Sequence, residues 1–214
     1  MQRDLLGNFK TKTTGLSSIT VSSLIKISEG NGYQINAQIG LEKFIGDNDE
    51  TGKVLTPMNM AKEMILPYSM QVSDESTSLI AGLNISKNTE NWSYGGQITF
   101  KNKIDDKEWS YGNGFTLNGW AGRNLSESIW GSIRLSYADI DSIDGRDMRI
   151  MAPVQTVNPK NYGGSNYKLS FGLNKRLSNG DNLDFELSIP FEQKLNGPQM
   201  EEDLTLTLGY KKGF

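Results

Sequence analysis

Residues 183–191 read Leu-Asp-Phe-Glu-Leu-Ser-Ile-Pro-Phe, with a large apolar side chain at every second position. Because successive side chains of a β-strand point to opposite faces, this period of two predicts a strand with one apolar and one polar face. The same alternation recurs in eight more segments, at residues 19–27, 33–41, 79–85, 92–100, 115–121, 129–137, 167–173 and 204–210. The chain of 214 residues is therefore predicted to be a single domain, residues 1–214, with a poorly patterned stretch at residues 1–14.

The connections between the predicted strands alternate between short and long. Short polar connections, typical of hairpins, fall at residues 30–32, 88–91, 125–127 and 179–181. Long connections fall at residues 46–76, 102–112, 140–166 and 193–202. The predicted fold is therefore all-β, an antiparallel up-and-down meander of nine or ten long strands with every tight turn at one end.

The last tight turn also predicts a register. Only an odd-length loop at residues 179–181 keeps both apolar faces on the same side of the sheet. A loop of three residues would pair Arg176 with Asp184, Asn174 with Glu186, and Lys168 with Glu192. Opposite charges would then face each other across the two strands, which stabilises a sheet by about 0.2–1 kcal/mol per pair.

Composition excludes several classes of protein. The chain contains no cysteine and no histidine, so it has neither disulfides nor the ligands of a zinc finger, and no histidine base for a nucleophile. No Gly-x-Ser-x-Gly motif is present either. We expect no enzymatic activity, no cofactor and no metal. A net charge of −3 argues against a nucleic-acid partner.

Four features favour an outer-membrane β-barrel over a soluble β-sandwich or barrel. Mean hydropathy is only −0.49, but the predicted strands are long enough to cross a bilayer, which takes about 9–11 tilted residues. Tight turns at one end and long loops at the other are typical of such barrels. Aromatic side chains on the apolar face gather near the strand ends, as in membrane interfaces. They are Tyr33, Trp92 and Phe214 at the short-turn end, and Phe100, Phe115, Tyr137, Tyr167 and Phe191 at the loop end.

The fourth feature is the polarity of the opposite face, which a dry barrel core could not bury without a severe cost. A soluble sandwich could expose that face to water, so polarity alone excludes only the closed, dry barrel. The polar face carries Gln34, Asn36, Gln38, Asn84, Gln97, Thr99, Asn118, Arg134, Lys168, Arg176, Asp184 and Glu186. The expected lumen-lining residues are Gln97, Arg134, Lys168, Arg176, Asp184, Glu186 and Glu192.

The C-terminal segment adds a further signal. Tyr210 and the terminal Phe214 resemble the signature that the barrel assembly machinery of the outer membrane reads. Lys212 departs from that signature, because an apolar residue is common there. The assembly machinery and outer-membrane lipid are therefore expected partners.

Four loop segments resemble an outer-membrane protein family named after the meta pathway of phenol degradation. They read Leu-Pro-Tyr-Ser-Met-Gln at residues 66–71, Ile-Asp-Gly-Arg-Asp at 143–147, Pro-Val-Gln-Thr-Val-Asn-Pro at 153–159 and Leu-Asn-Gly-Pro-Gln at 195–199. The resemblance covers about residues 60–214. The loop residues that carry it include Asp144, Gly145, Asp147, Pro153, Gln155, Asn196, Gly197 and Pro198.

The resemblance implies a signal peptide and further strands, neither of which this sequence contains. Bacterial single-chain barrels also have an even number of strands, whereas nine are predicted here. We therefore expect the chain to be the C-terminal part of a longer barrel. The alternative is that residues 2–14 supply a tenth strand that closes a small barrel.

The predicted function is an outer-membrane channel or porin-like transporter of a Gram-negative bacterium, passing small-molecule solutes, with aromatic compounds suggested by the family name. The loop at residues 140–164 is expected to fold inward and narrow the pore. The alternative is a non-transporting outer-membrane barrel that acts as a structural or surface-interaction module. A soluble sugar- or lipid-binding β-protein is a third hypothesis.

Three weaker patterns have simpler explanations. The acidic side chains of residues 184, 186 and 192 fit salt bridges better than acid–base chemistry. Asp47, Asp49 and Glu50 lack the spacing of a calcium loop. The methionines at positions 58, 60, 64, 70, 148 and 151 could bind Cu(I), but methionine also fills gaps in loop packing.

Overall fold

The computed structural model describes residues 2–5, 9–56, 58 and 60–213, and it is built almost entirely of β-strands. In chain order these are β1 (Gln2–Leu5), β2 (Phe9–Lys12), β3 (Ser18–Gly30), β4 (Tyr33–Phe44), β5 (Thr51–Leu55), β6 (Ala61–Ile65), β7 (Thr77–Asn88), β8 (Trp92–Lys103), β9 (Trp109–Ser110), β10 (Gly114–Ser126), β11 (Ile129–Ile140), β12 (Asp144–Gly145), β13 (Gly164–Arg176), β14 (Asn182–Leu195) and β15 (Thr205–Lys211). Three single-turn 3-10 helices lie at Tyr68–Met70, Gln155–Val157 and Pro159–Asn161. Among the described residues, no helix has the length and apolar character to cross a membrane.

Nine strands form one antiparallel sheet in the order β15-β14-β13-β11-β10-β8-β7-β4-β3. Each strand pairs with the strand that precedes or follows it in this set, so the predicted up-and-down meander is confirmed. Eight of the nine predicted segments lie within these strands, and the ninth, residues 204–210, begins one residue before β15. The remaining strands form three small two-stranded ladders, β1–β2, β5–β6 and β9–β12.

The predicted asymmetry of the connections is also confirmed. At one end the turn between β3 and β4 consists of Asn31 and Gly32, which have φ angles of 51° and 79°. Positive φ at both positions is typical of a tight type I′ hairpin turn, and a Cβ on Gly32 would lie 2.6 Å from the carbonyl oxygen of Asn88. The other end carries the long loops, at residues 45–76, 104–113, 141–163 and 196–204.

The predicted register between β13 and β14 is wrong by two residues. Their loop has five residues, 177–181, and Asp184 pairs with Asn174 instead of Arg176. The longer loop is held by Asp181, whose carboxylate accepts hydrogen bonds from the Asn179 amide at 2.6 Å and the Gly213 backbone N–H at 3.0 Å. Five is still an odd number, so the apolar side chains of both strands remain on one face.

A bulge near the loop end of β14 changes the face on which Glu192 lies. Tyr167 pairs with Glu192, but the next residue, Lys168, pairs with Pro190. Proline cannot donate a ladder hydrogen bond and is accommodated at such bulges. Glu192 therefore shares a face with Tyr167, and the expectations that it pairs with Lys168 and lines the polar face are wrong.

The nine-stranded sheet is open within the described residues. Strands β3 and β15 each have a neighbour on one side only. Strands β1 and β2 pair with each other and not with either edge, so the hypothesis that residues 2–14 supply a closing tenth strand is wrong. Both edges therefore present unpaired backbone N–H and C=O groups.

The exposure of the two faces is the reverse of that in a water-soluble sheet: apolar side chains are exposed and polar side chains are buried. On the apolar face, Leu135 and Leu206 are 52% and 53% exposed, whereas Ser170 and Ser188 on the polar face are 2% and 7% exposed. A flat single-layered sheet would expose both faces alike, so the sheet curves around its polar face. The apolar face includes Leu83, Ile98, Leu117, Leu135, Leu169, Ile189 and Leu206, and the polar face includes Asn84, Gln97, Asn118, Arg134, Ser170 and Ser188.

The buried apolar core lies in the long loops. We call residues 45–76, 104–113 and 141–163 together the loop cap. One cluster in it contains Val54, Leu66, Met70 and Ala152, and a second contains Tyr68, Trp109, Ile143 and Ile150. Val157 contacts both clusters. Met64 packs against the first cluster, so Met64 and Met70 have the packing role that is the simpler explanation for loop methionines.

This arrangement predicts that the loop cap can be loosened without disturbing the sheet. Leu66 is almost fully buried, and Leu66→Ala should lower the stability of the cap by about 2–5 kcal/mol, because it removes packed apolar volume. Hydrogen exchange should become faster at cap amides and stay slow in β10, β11 and β13. Leu135→Ala on the apolar face is the matched control and should leave cap exchange unchanged. Equal loss of protection in cap and sheet would show that the two form one cooperative unit.

Candidate functional site

The polar face carries a network of hydrogen bonds that crosses the strands. The Gln97 amide donates to the Gln38 carbonyl oxygen at 3.2 Å, on strands that are not neighbours. The Ser136 hydroxyl donates to Asn118 at 2.7 Å, and the hydroxyls of Ser170 and Ser188 lie 2.7 Å apart. Because these side chains satisfy one another, the face can be half-buried without a large desolvation penalty.

A polar cavity of about 360 Å³ lies on this face over β10, β11, β13 and β14. Three of the predicted site residues line it, namely Arg134, Lys168 and Glu186. Arg134 forms a salt bridge with Glu186 across the intervening strand β13. The structure thus pairs Arg134 with Glu186, whereas the register predicted from the sequence had placed Glu186 opposite Asn174.

The other predicted polar-face residues lie around this cavity. Gln97 pairs in register with Asn118, which lines the cavity. Asp184 lies closer to the short turns, where it accepts a hydrogen bond from Asn174 and lies 3.8 Å from the Lys211 amine. Arg176 ends β13 at the short-turn end, beyond the cavity.

Two polar atoms beside the cavity lack a hydrogen-bond partner among the described residues. They are Nε of Arg134 and Oδ1 of Asn166, both on residues that line the cavity. One is a donor and the other an acceptor. Both atoms are buried, so each carries a desolvation cost that no hydrogen bond among the described residues offsets.

Sequence patterns missed Glu202, which completes the second ion pair of the cavity. Its carboxylate forms a salt bridge with Lys168, and its backbone N–H and C=O both hydrogen-bond the side chain of Gln193. The bulge in β14 brings Gln193 to the polar face, opposite Asn166. Because Glu202 lies in a loop 34 residues from Lys168, no local pattern could identify this contact.

Two tryptophans on the polar face were also missed. A Cβ on Gly95 would lie 2.6 Å from the Trp120 ring, and one on Gly122 would lie 2.6 Å from Nε1 of Trp130. Both rings therefore lie over glycines of neighbouring strands, towards the short turns. Trp120 pairs in register with Gly95, so a large side chain at a polar-face position opposite a glycine is the signal that could have identified it. Trp130 pairs with Asn124 and reaches Gly122 diagonally, so no such signal marks it.

The loop cap contacts the loop end of the polar face. Phe44, on the polar face of β4, is buried and lies 6.0 Å from the ring of Tyr111 in the cap. The Lys103 amine donates to the Ser110 hydroxyl at 2.8 Å and to Asp144 at 2.7 Å. These contacts agree with the prediction that the long loops fold inward over the polar face.

A buried network of polar groups holds the loop cap together. The hydroxyl of Tyr68 accepts a hydrogen bond from the Asp147 backbone N–H at 2.9 Å. The Asp147 carboxylate is fully buried and accepts hydrogen bonds from the backbone and guanidinium of Arg149. Asp74, also buried, accepts hydrogen bonds from the backbone N–H groups of Ser76 and Tyr111.

The burial of this network shifts the ionisation of its members. Burial raises the pKa of Tyr68 and raises the pKa of Tyr111 far above the usual range, so both stay neutral. Burial also acts to raise the pKa of Asp147, but the hydrogen bonds from Arg149 outweigh it and hold that pKa below its usual value. The aspartate therefore remains charged inside the cap.

The loop residues that carry the family resemblance connect loops to one another. Gly145 has a φ of 75°, and a Cβ there would lie 2.2 Å from the carbonyl oxygen of Glu108 in the facing segment. The carbonyl of Gln155 accepts from the Asn161 amide at 2.9 Å, and the Asn196 amide donates to the Tyr162 carbonyl at 2.9 Å. Gly197 approaches Asn161 closely, while Pro153 and Pro198 are exposed.

The five aromatic residues predicted for the loop end form a continuous row on the apolar face. Phe100, Phe115, Tyr137, Tyr167 and Phe191 come from five neighbouring strands. Successive ring centroids are 6.0, 5.7, 4.6 and 5.9 Å apart. At the opposite end Lys87 and Arg123 lie over the rings of Tyr33 and Trp92, at 4.5 and 5.1 Å.

The predicted C-terminal signature is only partly within the described residues. Tyr210 lies on β15, and its hydroxyl donates to the Asp181 carboxylate in the last tight turn. Phe214 lies outside the described residues. Within the described part of the chain, no group of three or more acidic side chains could hold a metal ion.

The structure thus brings Arg134, Lys168 and Glu186 together on the polar face, and a separate set of polar contacts holds the loop cap. Comparison with models of known protein families gives no match, and comparison with curated proteins gives none either.

The ionised Asp147 predicts how the loop cap responds to pH. Because its pKa is lowered on folding, the stabilisation is complete above the ordinary aspartate pKa of about 4 and is lost as pH falls through the folded value. Asp147→Asn should lower cap stability at pH 7 by about 1–3 kcal/mol and should flatten the acid transition below pH 4. Hydrogen exchange at cap amides measures both effects. Glu63→Gln, which changes an exposed carboxylate in the same cap, is the control. A variant with unchanged neutral stability would contradict the proposed role of Asp147.

Proposed function

We propose that the nine-stranded sheet is the wall of an outer-membrane channel, with its apolar face in lipid and its polar face lining an aqueous lumen. The observation that carries the proposal is the reversed exposure of the two faces. Aliphatic side chains such as Leu135 and Leu206 are half-exposed on one face, while Ser170 and Ser188 on the other face are nearly buried. An apolar area of this extent needs a cover, and strands that span a bilayer obtain theirs from lipid.

The ends of the strands support the same placement. The aromatic row at the loop end and the rings of Tyr33 and Trp92 at the short-turn end bound the apolar band on both sides. Aromatic belts of this kind occur where a membrane protein crosses the two interfaces. We further propose the outer membrane of a Gram-negative bacterium and the phenol meta-pathway family, for which the loop motifs and Tyr210 are the support.

Membrane placement requires that both edges of the sheet be paired, because lipid cannot hydrogen-bond free backbone groups. Strands β3 and β15 run in the same direction, since an odd number of strands separates the two edges of a nine-stranded meander. An odd number of further strands, supplied by a longer chain or by other chains, would close a barrel with antiparallel pairs throughout. We propose that such strands complete the wall.

The cavity on the polar face suits small polar or weakly polar solutes. Its two ion pairs, Arg134 with Glu186 and Lys168 with Glu202, present both signs of charge along one path. The loop cap stands over the loop end of that path. Passage of small molecules through a lumen selected by these side chains is therefore the function that the geometry supports best. Aromatic solutes are suggested only by the family resemblance.

A non-transporting barrel is the alternative, and one observation favours it. Side chains that join non-neighbouring strands, such as the Arg134–Glu186 pair, and the inward-lying rings of Trp120 and Trp130 fill part of the space beside the polar face. A surface-interaction module would use the ordered loop cap as its binding surface.

Planar-bilayer recordings distinguish the two functions. The channel proposal predicts discrete conductance steps from the protein with its wall completed by the further strands, whereas the alternative predicts stable insertion without conductance. Insertion is assayed in parallel by protection of the strands from protease in vesicles. Insertion with no conductance at any voltage would contradict the channel.

Ion selectivity tests whether the polar face lines the conducting path. The double variant Arg134→Gln with Lys168→Gln leaves Glu186 and Glu202 unpaired, and the cation-to-anion permeability ratio should rise about two- to fivefold. Glu186→Gln with Glu202→Gln should shift the ratio in the opposite direction. Lys175→Gln, on the apolar face, removes a positive charge outside the lumen and should leave the ratio unchanged.

A further inference from the structure

The apolar face carries one groove that has a charged end. It runs over β10, β11 and β13 near the short turns and has a volume of about 530 Å³. Small residues form the floor of the groove. They occupy the middle positions of two rows of paired residues that run across the sheet. In one row Gly131 lies between Arg123 and Leu173, and in the next Ala121 lies between Tyr94 and Ile133.

Large apolar side chains form the walls. One side of the groove, and its end away from the short turns, are lined by Ile133, Phe171, Phe185 and Leu187. Leu125 lies against Gly131, where an added Cβ would come within 2.7 Å of it. The groove is therefore lined mainly by apolar side chains and extends across the strands from β8 to β14, which suits part of a flexible hydrocarbon chain.

Arg123 closes the end of the groove that faces the short turns. Its guanidinium lies 5.1 Å from the centre of the Trp92 ring, which holds it beside the groove. Within the described part of the chain, no carboxylate forms a salt bridge with it. Lys175, on the same face and at the same end, lines the neighbouring apolar depression. The groove is thus an apolar cavity with the positive charge of Arg123 at one end, and no salt bridge among the described residues compensates that charge.

We propose that this groove binds one acyl chain of an anionic phospholipid, with the phosphate group paired to Arg123. The inference rests on the proposed placement of the apolar face in lipid. Arginine suits the phosphate because its guanidinium offers paired N–H donors, and the Trp92 ring belongs at the depth of the glycerol region. The lipid belongs to the leaflet at the short-turn end of the barrel.

Tryptophan fluorescence provides a direct test, because Trp92 is the tryptophan that the apolar face presents. Trp120 and Trp130 lie over glycines on the polar face, and Trp109 is buried in the loop cap. The full chain is reconstituted in phosphatidylcholine vesicles that contain dibrominated phosphatidylglycerol or dibrominated phosphatidylcholine. Quenching by the anionic lipid should indicate a preference of about fivefold at this site.

Variants separate the charge from the groove. Arg123→Gln should abolish the preference for the anionic lipid, and Ala121→Leu should reduce quenching by either brominated chain because it fills the groove. Ala81→Leu adds the same side chain elsewhere on the apolar face and should change neither result. Lys87→Gln, which removes a cation at the same depth, should leave the preference intact. Trp92→Phe should remove most of the quenchable fluorescence.

The possible failures are distinguishable. Equal quenching by the two lipids, or a preference that survives Arg123→Gln, would overturn the phospholipid site while leaving the channel proposal standing. No quenching by any brominated lipid, together with failure of the chain to enter vesicles, would instead overturn the membrane placement.

Discussion

The apolar face of the nine-stranded sheet needs a cover that keeps water away from it. The rest of the structure depends on what supplies that cover. In the described residues no second layer packs on it, and many of its leucines, isoleucines and phenylalanines are exposed, among them Leu83, Leu135 and Leu206 at 52–53%. Burial of apolar surface contributes about 25 cal/mol per Å², so leaving this face in water would forgo most of the stabilisation that the chain can obtain. In the proposed membrane placement, lipid would supply this cover without any further core. The polar face could then be wet, and its ion pairs and hydroxyl contacts would line the proposed passage.

The sheet and the loop cap are stabilised in different ways. The sheet depends on the hydrogen bonds between its strands and on the medium that covers its apolar face. The loop cap has an ordinary buried core with Leu66, Tyr68 and Trp109 at its centre. The cap also buries a charged Asp147, which is tolerated because Arg149 and backbone groups saturate its oxygens. Ordered loops of this kind can hold a defined shape over the polar face. The family-like motifs belong to that scaffold, since they make contacts between loops rather than reactive sites.

The sequence predicted the meander because alternation along each strand is a local property. All nine strands, both kinds of connection and the aromatic row at the loop end were readable from residues two positions apart. The errors arise where the pairing departs from regularity. The turn around Asp181 is two residues longer than its composition indicated, and the bulge after Pro190 moves Glu192 to the apolar face. Neither leaves a signal in the period of the hydrophobic pattern.

The candidate site was predictable in composition but not in connectivity. Arg134, Lys168 and Glu186 were correctly assigned to one face by parity alone. Their partners depend on the order of the strands in the sheet and on the path of a loop that is distant in sequence. The pairing of Lys168 with Glu202 therefore could not be predicted from the sequence. Trp120 and Trp130 were missed for a related reason. The glycines beneath their rings lie on neighbouring strands, directly opposite for Trp120 and diagonally for Trp130, and only the register reveals this.

Cysteine accessibility along β11 tests the membrane placement most directly, because the chain has no cysteine of its own. Single cysteine substitutions at Ile133, Arg134, Leu135, Ser136, Tyr137 and Ala138 would be treated with a membrane-impermeant maleimide after reconstitution in vesicles. The proposal predicts labelling that alternates with a period of two, fast at residues 134, 136 and 138, which line the polar cavity, and slow at residues 133, 135 and 137 on the apolar face. Fast labelling at residues 133, 135 and 137, with the apolar face open to water, would contradict it.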